Sequence, residues 1–109
     1  MNLHNKTFKA LSNSDNGEVG DETRFYYRQE DDIIWATYHG GAIKFGTLSG
    51  WIKGQELFFH YQHQNQEGIF MTGKCSTQIQ VKAGKIQLQE RWEWTSGDQS
   101  SGTSILQEL

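Results

Sequence analysis

Residues 69–94 read IFMTGKCSTQIQVKAGKIQLQERWEW, and this stretch decides the fold. Through residues 69–82, Ile69, Met71, Gly73, Cys75, Thr77, Ile79 and Val81 share one face. Phe70, Thr72, Lys74, Ser76, Gln78, Gln80 and Lys82 share the other. A period of two marks a β-strand with one buried face and one mostly wet face. Ala83-Gly84 then reads as a two-residue hairpin loop with Lys82 opposite Lys85. In that register Val81 faces Ile86, Ile79 faces Leu88, Thr77 faces Glu90, Cys75 faces Trp92 and Gly73 faces Trp94. The inward residues of both strands coincide without adjustment, which supports the hairpin.

The same alternation runs outward in both directions. Turn-like breaks fall at 14–21, 30–32, Gly40-Gly41, Lys53-Gly54, 64–68, Ala83-Gly84 and 96–102. They predict eight strands, near 6–13, 22–29, 33–39, 42–52, 55–63, 69–82, 85–95 and 103–108. Short connections make neighbours antiparallel, so the chain is an up-and-down meander. Two-residue loops at Gly40-Gly41 and Lys53-Gly54 place Trp35 opposite Gly46 and Gly46 opposite Tyr61. A three-residue loop at 30–32 places Tyr27 opposite Trp35, and a five-residue loop at 64–68 places Phe59 opposite Gly73. Glycines beside large rings let a sheet curl. The expected fold is all-β: a single domain over 1–109, its eight strands curled into a small calycin-like barrel. A two-sheet sandwich is the alternative.

Composition agrees with one compact unit. A chain of 109 residues is long enough for a core, which must lean on rings, since aromatics make up 13% of a chain that is only 35% hydrophobic. Gly occurs 12 times and Pro not at all. The net charge of −3 is scattered, with no basic stripe, which argues against nucleic acid as a partner. No apolar run approaches a membrane span, and the N-terminus lacks the apolar block of a signal peptide. The single Cys75 cannot form an internal disulfide. A cytoplasmic location is the expectation.

The sequence offers few chemical motifs. GIFMTGKC has the spacing of a phosphate-binding loop, but large apolar residues fill it and a strand follows. His60 and His63 are three apart on a strand, so they point to opposite faces and cannot share a metal. They read as a surface residue and a loop-end residue. Cys75, between Leu57 and Trp92, reads as an inert buried thiol. The acidic stretch SDNGEVGDE lacks the ligand alternation of a calcium loop and reads as a solvated turn. No metal and no cofactor is expected.

The inward polar residues are Tyr27, Thr37, Tyr61, His63, Thr77 and Glu90. A buried carboxylate must be paired or have its pKa raised. Glu90 could anchor a small aromatic or amphipathic ligand, with Tyr61, Trp92, Trp94 and Trp35 as walls. In the alternative, Glu90 bonds Thr77 or water near the rim and the rings only fill the core. Phe45, Trp51, Phe58 and Phe70 point outward and offer a second function, a protein-interaction face such as a homodimer contact.

With LHNKTFKALSNSDNGEV, TGKC and ERWEWTSGD in view, the chain resembles a family of small uncharacterised bacterial proteins often labelled N-acetylglutamate synthase. The resemblance runs along nearly the whole length, and it implies an acetyltransferase. The residues themselves contain no strand, glycine turn and helix of the acetyl-CoA-binding kind. No catalytic residue carries over, and binding without catalysis is the leading expectation.

Overall fold

The computed structural model describes residues 2–109. It contains β1 (Lys6–Asn13), β2 (Arg24–Glu30), β3 (Ile33–Gly40), β4 (Ile43–Lys53), β5 (Glu56–Asn65), β6 (Phe70–Lys82), β7 (Lys85–Trp94) and β8 (Ser101–Glu108). Each strand pairs antiparallel with the next, and β8 returns to pair with β1. The sheet therefore closes, and the fold is the eight-stranded up-and-down barrel, not the sandwich.

Closure gives the barrel two different ends. At one end the strands join through the tight turns Asp31-Asp32, Gly54-Gln55 and Ala83-Gly84. Ala83 and Gly84 both have positive φ, 52° and 77°, as a hairpin turn of matching twist requires. Leu3 is fully buried just ahead of β1. Ile34, Leu57, Ile79, Leu88 and Leu106 belong to the same core. The other end carries the longer connections, residues 14–23 and 95–100.

The β6–β7 register agrees with the sequence reading at every pair, from Val81↔Ile86 to Gly73↔Trp94. Two other hairpins keep their inward faces but slide by two residues. Leu48, not Gly46, pairs with Tyr61, and Cys75, not Gly73, pairs with Phe59.

Strand β3 differs more. A two-residue turn at Asp31-Asp32 replaces the expected three-residue loop, and a bulge between Tyr38 and Gly40 shifts the β3–β4 pairing. A one-residue slip turns every side chain over. Ile34, Ala36 and Tyr38 therefore face inward, while Ile33, Trp35 and Thr37 face out. Trp35 is thus no wall of the interior: it pairs with Arg28 and Ser49 on the outer surface and is 38% exposed.

The idea of rings seated over glycines survives with different partners. A side-chain carbon on Gly46 would collide with the Tyr38 ring, and one on Gly73 with the Tyr61 ring. Those glycines let Tyr38 and Tyr61 lie flat against the barrel wall. Phe45, Trp51, Phe58 and Phe70 are exposed, as the alternation predicts.

Candidate functional site

The site is built from residues that alternation points inward near the loop end. Strand β7 supplies Glu90, Trp92 and Trp94, with Glu90 the farthest of the three from the loop end. Strand β5 supplies Phe59, Tyr61 and His63, and β3 supplies Tyr38. Cys75 of β6 and Ser104 of β8 flank β7, and Gly17, Glu18 and Val19 reach in from the β1–β2 loop. Together they line a cavity of about 40 Å³, enough for a few water molecules.

The aromatic walls hold one another by their edges. Trp92 and Trp94 lie 5.4 Å apart, tilted by 56°. Tyr61 meets Trp94 edge-on at 5.8 Å, and His63 meets Trp94 edge-on at 5.7 Å. Such pairs prefer this geometry because a ring's edge is positive and its face negative. Each indole N–H is also tied down. Trp92 Nε1 donates to Asn13 Oδ1 at 2.9 Å, and Trp94 Nε1 donates to the Asn16 carbonyl at 3.1 Å. Both acceptors lie at or beyond the end of β1, so the β1–β2 segment is pinned to the tryptophans.

His63 is the centre of a second network. It is 2% exposed and lies within β5, not at a loop end. Its Nδ1 accepts from the Tyr38 hydroxyl at 2.9 Å, and its Nε2 donates to Glu18 Oε1 at 2.8 Å. This assignment of donors follows from the neutral ring. Burial holds the His63 pKa below its ordinary value, and the Glu18 carboxylate opposes that shift only in part. Asn65 Nδ2 donates to the other Glu18 oxygen at 3.0 Å. The acidic loop is therefore a latch on the barrel mouth, where the sequence reading had a solvated turn. His60 is exposed on the outer face, as expected.

Glu90 has much less support. It is only 8% exposed, and Ser104 Oγ donates to its Oε1 at 2.8 Å. The partner is Ser104, not Thr77, whose hydroxyl lies 3.5 Å from the Cys75 sulfur. Burial pushes the Glu90 carboxyl up to about 7, with the Ser104 bond pulling the other way. The Cys75 thiol is also pushed up by burial and then by the Glu90 charge. Both effects favour the thiol over the nucleophilic thiolate.

Of the five side chains expected to form the site, Tyr61, Glu90, Trp92 and Trp94 meet around one cavity and Trp35 does not. Sequence reasoning missed Tyr38, Glu18, Asn13 and Ser104. Only His63 gave a usable signal, since a buried imidazole requires partners for both nitrogens.

The comparisons agree with this architecture. The chain superposes on the apo structure of shwanavidin in its P21 crystal form with a TM-score of 0.71. The match covers 97% of this chain and 98% of that one at 12% identity, so it speaks for the fold. No curated protein matches the chain. A family model described as avidin-like protein matches residues 1–109. That finding overturns the resemblance to proteins labelled N-acetylglutamate synthase, whose motifs lie in strands and mouth loops of the barrel. Avidin-like barrel proteins are non-catalytic binders of small molecules, in line with binding as the leading expectation. With one family model matching its whole length, the chain belongs to the avidin-like protein family.

Proposed function

We propose that this protein is a non-catalytic receptor that holds a small amphipathic molecule in the loop end of its barrel. Tyr61, Trp92 and Trp94 form the walls and Glu90 is the polar anchor. The observation that carries this reading is a buried carboxylate with a single hydrogen bond among the described residues, open to a ring-lined cavity. In a core built only for packing most buried polar groups find partners, so an open carboxylate oxygen favours a ligand there. Family membership adds support, because avidin-like proteins bind small ligands such as biotin.

The cavity of about 40 Å³ fits a ligand's head group rather than a fused ring system. A ligand as large as biotin would have to displace residues 17–19, which line the cavity. The Glu18 latch is the contact that such a ligand must break. A homodimer is the accompanying proposal. Ile33, Trp51 and Phe58 pair in a row across β3, β4 and β5 on the outer face, and all three are exposed.

The test uses the interior tryptophans as reporters. Trp35→Phe and Trp51→Phe together remove the two exposed indoles and leave Trp92 and Trp94. Biotin and a panel of short amphipathic molecules are then titrated, with emission and heat followed together. A saturable change of the interior emission is expected with at least one member. No saturable change across the panel would overturn the reading.

A further inference from the structure

We infer that the cavity takes an organic cation, a primary ammonium on a short apolar body, with its head on Glu90 and its body among Tyr61, Trp92 and Trp94. The inference rests on the receptor reading above and adds the charge of the ligand.

The first argument is a count of donors and acceptors. Most donors around the cavity are already used; the Tyr61 hydroxyl on its wall and the buried Tyr27 hydroxyl have no bond among the described residues. The Trp92 and Trp94 N–H groups bond Asn13 and the Asn16 carbonyl. The Tyr38 hydroxyl bonds His63, His63 bonds Glu18, and the Ser104 hydroxyl bonds Glu90. Glu90 still has an oxygen, Oε2, that accepts nothing among the described residues. Neither of those two hydroxyls bonds Glu90, so Oε2 is left open to a donor on the ligand.

The second argument is charge. Among the described residues, no Lys or Arg lines the cavity, while two carboxylates do. Glu18 is satisfied by His63 and Asn65. The other titratable groups that feel Glu90 are Cys75 from β6, Tyr27 from β2, Tyr38 from β3 and Tyr61 from β5. Burial raises the pKa of each, so all stay neutral and none can balance a negative charge. A neutral donor would satisfy Oε2 but leave the buried charge uncompensated, and an anion would add to it. An ammonium does both tasks, and the ring faces attract it as well. The cavity volume of about 40 Å³ suits such a head group.

The experiment compares n-butylammonium, butyramide and butyrate, which share a carbon skeleton and differ in charge. Each is titrated into the full chain, with interior tryptophan emission and calorimetry as readouts. At a pH of about 8.5, above the Glu90 midpoint of about 7, butylammonium should bind about tenfold or more tighter than butyramide. Butyrate should give no saturable signal. Because the cation binds ionised Glu90, its affinity should fall as pH drops below about 7, and binding near that pH should release protons to the buffer. Glu90→Gln should weaken butylammonium about tenfold and so remove its advantage over butyramide. The wild-type pH profile provides the same check if that variant folds poorly. Butyramide or butyrate matching butylammonium, or a flat pH profile, overturns the charge assignment and leaves the receptor reading intact. No saturable change from these probes or from biotin overturns both.

Discussion

The two ends of the barrel solve different problems. The tight-turn end is closed by local chemistry. Its turns join neighbouring strands through two residues each, and its interior is apolar. The loop end is held by bonds between residues far apart in the chain. Glu18 reaches His63 and Asn65 across 45 and 47 positions, and Trp92 reaches Asn13 across 79. One end thus fixes register and the other shapes a cavity. Within the loop end the contrast repeats. The His63–Glu18 network has a partner for each polar atom named, while Glu90 has one bond among the described residues.

The largest expected effect separates those two polar groups. The Glu90 carboxyl titrates near pH 7 when folded, against about 4.5 in an unfolded chain. Between those values the folded state keeps a proton that the unfolded state has lost. Stability from this group is therefore full below pH about 4.5 and falls as pH rises to about 7. Glu90→Gln removes the penalty and should raise unfolding free energy by up to about 3 kcal/mol at pH about 8, with little change at pH about 4.5. Urea denaturation at the two pH values measures this. An equal shift at both would sink the idea that the buried charge is the cause.

His63 should behave in the opposite sense. Its folded pKa lies below the ordinary value, so its contribution is present above pH about 6.5 and is lost as pH falls through the folded pKa.

A second test attacks the ring seats. Gly46→Val drives a side chain into Tyr38 and towards His63. A loss of about 2 kcal/mol is expected by thermal or chemical unfolding, together with a change in interior tryptophan emission. Stability loss without an emission change would mean that the loop end tolerates the shift.

Opening the latch should cost less. Glu18→Ala leaves a buried His63 N–H and the Asn65 amide without their acceptor, a loss of about 1–2 kcal/mol. Amide hydrogen exchange in residues 14–23 should rise, with residues 83–84 unaffected. Uniform exchange at both ends would dissolve the distinction between them.

The smallest effect belongs to the tight-turn end. Ala83 sits at φ 52°, a conformation that disfavours a β-carbon. Ala83→Asn should add about 0.5–1 kcal/mol, read as a raised denaturation midpoint at unchanged ligand affinity.

What could be read from the sequence follows the same division. The β6–β7 hairpin was legible because Ala83-Gly84 fixes the loop and both strands alternate cleanly. Strand β3 was not, because IIWATYH offers apolar residues at both phases: Ile33 and Trp35 in one, Ile34, Ala36 and Tyr38 in the other. The two-residue turn at Asp31-Asp32 and the bulge after Tyr38 chose between them, and no residue pattern announces either. Glu90, Trp92, Trp94 and Tyr61 were found because alternation places them. Glu18, in a loop, and Asn13, at the end of β1, were not, because a partner across the barrel leaves no periodic trace.

The tryptophan pair has a consequence of its own. Two indoles whose centres lie 5.4 Å apart at a 56° tilt do not absorb light independently. Their transition dipoles couple, and a fixed oblique angle makes the coupled pair optically active. The far-ultraviolet dichroism should carry a paired positive and negative band laid over the β-sheet spectrum. Any molecule that wedges between Trp92 and Trp94, or turns one against the other, would change that couplet without a dye or label. The chain thus contains its own exciton gauge for the state of its cavity.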